Sequence, residues 1–202
     1  MYRNKTCLWF FLSVILIFIC ANCGTFKKEN TYSKNGLTVT YRSINRFGRG
    51  IESYRIKHPL KISAQWIKKH LLALWHRKIL SHGKAKPVFS FDEIETLSPL
   101  IAKALGKVGP GKYLHFDFNS SRGITSGDIF SSTNKVHWRL WKINGISYSN
   151  DPLKLRKPTW KMVRTHGQSF HVVPTDISQK YQENWILANI KPKKIMRHQP
   201  SR

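Results

Sequence analysis

Three residue types in this chain have the chemistry to build a site: cysteine, histidine and carboxylate. The three cysteines, Cys7, Cys20 and Cys23, all fall in the first 23 residues. The rest of the chain therefore has no internal disulfide, no cysteine nucleophile and no cysteine-rich zinc site. The nine histidines form no HExxH, H-x-H or H-x-x-H pair, the spacings that put two imidazoles on one metal. His70 and His76 are six apart and do not share a helical face. His166 and His171 flank a candidate hairpin that can bring them toward His115 or His137. The expectation is scattered, solvent-facing histidines, with no metal and no other cofactor.

Acids are scarce. Asp92, Glu93 and Glu95 are explained by helix capping, which leaves Asp117, Asp128, Asp151, Asp176 and Glu183 as the main candidates beyond the tether. Asp117 and Asp128 can meet across neighbouring strands as the acid and base of a periplasmic hydrolase. Structural ion pairing is the expectation for an acid among so many cations, so no catalytic residue is assigned. No G-x-S-x-G elbow occurs. Gly106 to Gly111 is a helix exit and not a phosphate loop, because it lacks the following Gly-Lys-Ser/Thr.

Cations dominate. The formal net charge is +25 over 202 residues. Nine Lys or Arg and no acid lie between Ser53 and Phe91, and the tail 191–202 adds five more. Such a surface attracts polyanions, and Lys61, Lys68, Lys69, Arg77, Lys78, Lys84 and Lys86 are the candidate anion-binding set. A globally basic, AT-biased proteome would give the same composition with no ligand. Nucleic acid is the usual partner for a cytosolic protein of this charge. It is the alternative here only if the chain is not exported.

The N-terminus argues for export. Arg3 and Lys5 precede an apolar run of about 15 residues from Cys7 to Ala21, short for a bilayer span and laid out as a secretory signal. A retained signal anchor is the other reading. Cys20-Ala21-Asn22-Cys23-Gly24 is similar to a bacterial lipobox, although Asn22 and Cys20 replace its usual residues. Cys23 is the expected lipidation site, and acyl chains there would tether the protein to a membrane.

The elements that must position these groups follow from periodicity. Residues 1–22 read as signal, 23–50 as a polar tether with a short strand near Leu37 to Tyr41, 51–190 as one domain, and 191–202 as a basic tail. Ser63 is an N-cap, and Ile67, Leu71, Leu74 and Trp75 recur at helical spacing, with Arg77 and Lys78 on other faces. Ser90 and Glu93 form a capping box ahead of Ile94, Leu97, Ile101, Leu105 and Val108. From Leu114 the period becomes two, with His115, Asp117 and Asn119 on an expected wet face. Further strands are expected at 124–130, 136–143, 159–165 and 170–173, with Asn144-Gly145 as a hairpin turn. Trp138 and Trp141 point to opposite faces of one strand. The end stays open between a helix from Ile177 capped by Asp176 with Gln179, and a last strand from Trp185 to Ile190. The expected fold is α+β: two helices followed by an antiparallel sheet of about four to six strands.

The stretch from His58 to Ile190 resembles a group of uncharacterised bacterial exported proteins. The residues that carry the likeness are His58-Pro59, Ile62-Ser63, Pro87-Val88-Phe89-Ser90, Lys103-Ala104-Leu105, Thr125-Ser126-Gly127, Ile143-Asn144-Gly145 and Asn184-Trp185-Ile186. The resemblance implies an envelope domain and no catalytic residues. The sequence thus leads to an expected membrane-anchored, non-catalytic envelope lipoprotein whose basic domain binds a partner protein or an anionic envelope polymer or lipid.

Overall fold

Both helices begin where capping chemistry places them. The structure, a computed structural model, describes residues 29–47, 54–79, 83–148, 158–174 and 179–190. The signal run, Cys23, the basic tail, Asp151 and Asp176 lie outside those residues. Ser63 caps α1 (Ala64–Leu72), its hydroxyl accepting from the Trp66 N–H. Ser90 caps α2 (Phe91–Leu105) with a full capping box: its hydroxyl accepts from the Glu93 N–H, and the Glu93 carboxylate accepts from the Ser90 N–H at 2.7 Å. Ile67 and Leu71 of α1 and Ile94, Leu97, Ile101 and Leu105 of α2 are buried. Among the described residues no helix is long and apolar enough to cross a membrane.

The first helix is shorter than its apolar spacing suggests. It stops at Leu72, where the Trp75 indole N–H donates to the Leu72 carbonyl. Trp75 to Lys78 then run as a strand, and only Leu74 of the extended apolar series joins the core beyond the helix end. Of the two segments that pair with it, Lys86–Pro87 is close in sequence, but the one that pairs along its whole length lies about 85 residues away, where local periodicity could not report it.

In chain order the strands are β1 (Thr31–Lys34), β2 (Leu37–Ser43), β3 (Trp75–Lys78), β4 (Lys86–Pro87), β5 (Lys112–Ser120) and β6 (Gly123–Ser132). They continue with β7 (Lys135–Ile143), β8 (Ile146–Ser147), β9 (Trp160–Val163), β10 (Gln168–Pro174) and β11 (Gln179–Asn189). The main sheet is antiparallel in the order β1-β2-β5-β6-β7-β11-β10, with β8 also paired to β7. A second sheet has the order β4-β3-β9.

The α+β class with two helices holds, but the main sheet has eight strands and not four to six. β1 and β2 precede the helices in sequence assigned to the tether, where only a short strand near Leu37 to Tyr41 was expected. They are joined by Asn35-Gly36, both with positive φ (49° and 76°), the turn that favours a two-residue hairpin. Asn144-Gly145 makes the same turn, with φ of 48° and 80°. The open C-terminal segment is a strand, β11, which begins at Gln179, well before Trp185, and ends at Asn189.

The sheet has no wet face at its centre. Leu114, Phe116, Ile129, Val136, Trp138, Leu140 and Ile186 share one core with the helices. A second cluster comprises Phe47, Tyr113, Phe130, Trp185 and Leu187, with Ile44, Tyr54 and Ile56 packed against it. His115 and Asp128 are therefore 7% and 3% exposed, where alternation suggested solvent. Burial is tolerable because these polar groups satisfy one another.

Candidate functional site

The small sheet gathers positive charge. Register pairs Arg77 with Lys161 across β3 and β9, and His76 with Lys86 across β3 and β4. A cavity of about 200 Å³ is lined by His76, Arg77, Lys78, Gly83, Lys84 and Lys86. Four of the seven candidate cations thus border one recess, and among the described residues no acid lines it. A second, more open cavity of about 410 Å³ is bordered by Arg77, Lys161, Arg164, Thr165, Gln168 and Phe170, among others. Its one lining acid, Glu183, accepts from Lys161 at 3.0 Å.

The field there is legible in His76. Burial, and then the charges of Lys86, Arg122 and Lys78, hold its imidazole below the ordinary histidine value. Its Nδ1 is buried and has no hydrogen-bond partner. Among the described residues no carboxylate pairs with Arg77, Lys78, Lys84, Lys86 or Arg164. Adjacent cations without counter-charge are what an anion site requires.

The other three candidates lie apart from these cavities. Lys61 is exposed in the approach to α1. Lys68 is paired with Glu95 and lies over the Phe91 ring. Lys69 stacks over Trp66, 4.3 Å from the ring centroid. The members of the site that sequence reasoning missed are Lys161 and Arg164. Both fall in a recognised strand candidate, but only the pairing of β9 with β3 sets Lys161 opposite Arg77 and brings Arg164 to a cavity that Arg77 also borders.

A second constellation occupies the sheet face away from the helices. Asp117 and Asp128 do approach each other, as their neighbouring strands suggested, but with His115 between them. His115 Nδ1 is 2.7 Å from Asp128 Oδ1, and its Nε2 is 3.4 Å from Asp117 Oδ2. The Trp141 indole N–H donates to the other Asp128 oxygen at 2.6 Å. Arg139 lies over the Trp141 ring at 3.9 Å and over Trp185 at 5.1 Å. Burial lowers its guanidinium to about 10, with Asp128 and then Tyr113 opposing the shift. This is a base held by a carboxylate, the orienting half of an acid–base device. Asp117 is half-exposed, so the Nε2 side lies nearer solvent.

The histidines expected at the surface are largely internal. His137 is fully buried, and the Trp185 indole N–H donates to its Nδ1 at 3.2 Å. Its proton must then sit on Nε2, which donates to the Ser132 hydroxyl at 2.8 Å. His171 stacks on Trp185 with ring centroids 3.8 Å apart, and its Nδ1 is 2.6 Å from the Tyr54 hydroxyl. Burial pushes His137 down to about 3, with His171 and Lys135 adding to it. Burial also pushes His171 down to about 4, and Arg139 adds to it. No group of three His, Cys, Asp or Glu able to hold a metal occurs among the described residues.

Comparison with protein-family models, with curated proteins and with solved structures finds no match.

Proposed function

We propose that this chain is an exported envelope lipoprotein, anchored through Cys23, whose α+β domain is a non-catalytic binder of anionic envelope material. The observation that carries the binding reading is the recess bordered by Arg77, Lys78, Lys84 and Lys86, which no acid lines among the described residues. The apolar start and the lipobox-like Cys23 support the location. Co-flotation of the full chain with phosphatidylglycerol and with phosphatidylcholine vesicles, across a salt series, tests the binding. The expected result is an excess on the anionic vesicles that salt removes and that R77Q/K78Q/K84Q/K86Q abolishes. Equal recovery on both vesicles, together with no binding to an anionic polymer, would refute it. Labelled palmitate that enters wild type and Cys23→Ala equally would refute the anchor.

One observation favours a second reading, a hydrolase: His115 lies between Asp117 and Asp128 with its Nδ1 held by a buried carboxylate. In that reading Asp128 orients the imidazole and His115 Nε2 takes a proton from water. Screening the full chain on ester and glycoside substrates tests it, with His115→Gln as control. Turnover unchanged in His115→Gln would end it.

A further inference from the structure

We infer that the end of the molecule bearing the basic recess docks on an anionic bilayer surface, with Phe91, Ile124 and Ile146 entering the head-group layer. This rests on the anion-binding reading above and goes further by choosing a lipid surface as the ligand. Four of the six exposed large hydrophobics among the described residues, Leu72, Phe91, Ile124 and Ile146, are each at least 40% exposed and lie at this end. Ile124 and Ile146 flank the Asn144-Gly145 turn: the Gly145 N–H donates to the Ile124 carbonyl at 2.8 Å, and Ile146 pairs with Ile143. Arg122, in the turn between β5 and β6, donates to the Val88 carbonyl at 3.1 Å and to the Glu93 carboxylate. That fastens the start of α2, and Phe91 with it, beside Ile124. Lys68 lies over the Phe91 ring, one turn of α1 before Leu72. The recess joins the same end through Trp160. Its indole N–H donates to the Ile146 carbonyl at 3.0 Å, and its register partner is Lys78. Lys78 and Lys86 are both neighbours of His76 on that one face of the small sheet, and both line the recess with Lys84.

Peripheral membrane binding joins apolar side chains that enter the interface to cations that meet the head groups. Both are present here, and their arrangement separates a bilayer from other occupants. The apolar side chains project from a helix start and from a turn, with Arg122 and Glu93 between them. A protein interface centres on contiguous apolar area inside a polar rim. A soluble anionic polymer would leave Phe91, Ile124 and Ile146 in water. A fluid head-group layer admits each side chain separately. Charge agrees with this. Of the three acids in the first turns of α2, Glu93 is paired with Arg122 and Glu95 with Lys68, which leaves Asp92 alone among the described residues outside an ion pair there. The potential of an anionic leaflet falls off within a Debye length, so Lys78, Lys84 and Lys86 act strongly only where the apolar residues hold them at the surface. The anchor permits the pose. The Asn119 N–H donates to the Gly36 carbonyl at 2.9 Å, which puts the turn between β1 and β2 at the same end. The chain from Cys23 to Thr31 spans at most about 28 Å, more than the roughly 14 Å of β1 that separates Thr31 from that turn.

The test is hydrogen–deuterium exchange, read by mass spectrometry, on the full chain reconstituted in phosphatidylcholine and in phosphatidylglycerol vesicles. Its apolar start holds the chain to both, so only docking of the domain distinguishes them. The expected result is exchange about tenfold slower on phosphatidylglycerol in segments 88–92, 121–124 and 144–147, with the centre of the sheet unchanged. F91S/I124S/I146S should lose most of that protection, and K78Q/K84Q/K86Q should lose the difference between the two lipids. Unchanged exchange in β5 and β7 checks that each variant keeps its fold. Equal exchange on both lipids would overturn the docking and leave these side chains to a protein partner. Protection retained in full by F91S/I124S/I146S would overturn the insertion. Binding of a linear polyphosphate, with no protection on either vesicle, would overturn the bilayer while leaving the general anion-binding reading standing. Failure of both ligands would remove both.

Discussion

Lowering the pH from 8 to 5 should destabilise this protein through its buried histidines. Burial holds His137 at about 3 and His171 at about 4, whereas in the unfolded chain each returns to about 6.5. The native state therefore refuses protons that the unfolded state accepts. The stability from keeping them neutral is fully present above pH 6.5. It is lost as the pH falls from there toward their folded values. At pH 5 each group contributes a loss of about 2 kcal/mol, so the pair costs about 4 kcal/mol. That is a large part of a typical 5–15 kcal/mol. His58, His70 and His76 are also held low by burial, so the figure is a floor. Carboxylates stay mostly ionised above pH 5, so this window isolates the imidazoles. Thermal melts at pH 8 and pH 5 should differ in Tm by about 10 °C or more. His171→Phe should keep the stack on Trp185 and lose about half of the pair's pH response. A Tm that changes by less than 2 °C would refute the assignment of neutral, buried imidazoles.

Substitutions at two positions probe the sheet around that cluster. Asp128→Ala leaves His115 Nδ1 and the Trp141 indole N–H without their acceptor in a buried setting, and denaturant melts should show a loss of about 3 kcal/mol. Asp128→Asn should cost markedly less, because its amide can donate to the other His115 tautomer while its carbonyl accepts from Trp141. Gly127 lies at the register shift in β6, where an added Cβ would meet the Arg139 carbonyl at 2.6 Å and Leu140 Cδ2 at 2.8 Å. Gly127→Ala should therefore cost about 2 kcal/mol or more by overpacking. An unchanged denaturation midpoint would show that the neighbouring strands yield freely.

What the sequence made legible was local. The caps at Ser63 and Ser90, the strand through Leu114 and the Asn144-Gly145 turn depend on residues within a few positions, and all stand. Asn35-Gly36 is the same dipeptide between Lys34 and Leu37, and Leu37, Val39 and Tyr41 alternate after it. That alternation is the short strand expected near Leu37 to Tyr41, but the signal for β1 was masked by its Thr, Ser and Lys, the polar residues that an edge strand carries. By contrast, Trp75 to Lys78 carry no local mark of a strand following directly on a helix, and β9 is the partner that makes them one. Of the catalytic pair considered from sequence, Asp117 and Asp128 were placed on neighbouring strands correctly. The imidazole between them was not foreseen, since facing positions depend on a register that one strand alone cannot specify.

The same long-range pairing decides whether the basic sheet is a site or only a charged surface. A chain of net charge +25 binds polyanions when unfolded as well as when folded, and ligand binding to the unfolded state reduces any gain in stability. Bulk charge alone should then leave Tm nearly unchanged when polyphosphate is added. A basic recess that exists only in the fold adds affinity specific to the native state. At a ligand concentration 100 times its Kd, that excess approaches 2.7 kcal/mol, or a rise in Tm of several degrees. Arg77 is one of 35 basic residues, so R77Q should barely alter a bulk-charge effect. It is also the residue common to both cavities, so it should remove most of a native-state gain. Melts of wild type and R77Q with and without polyphosphate separate the two cases. A wild-type rise retained in full by R77Q would assign the effect to composition and not to the sheet.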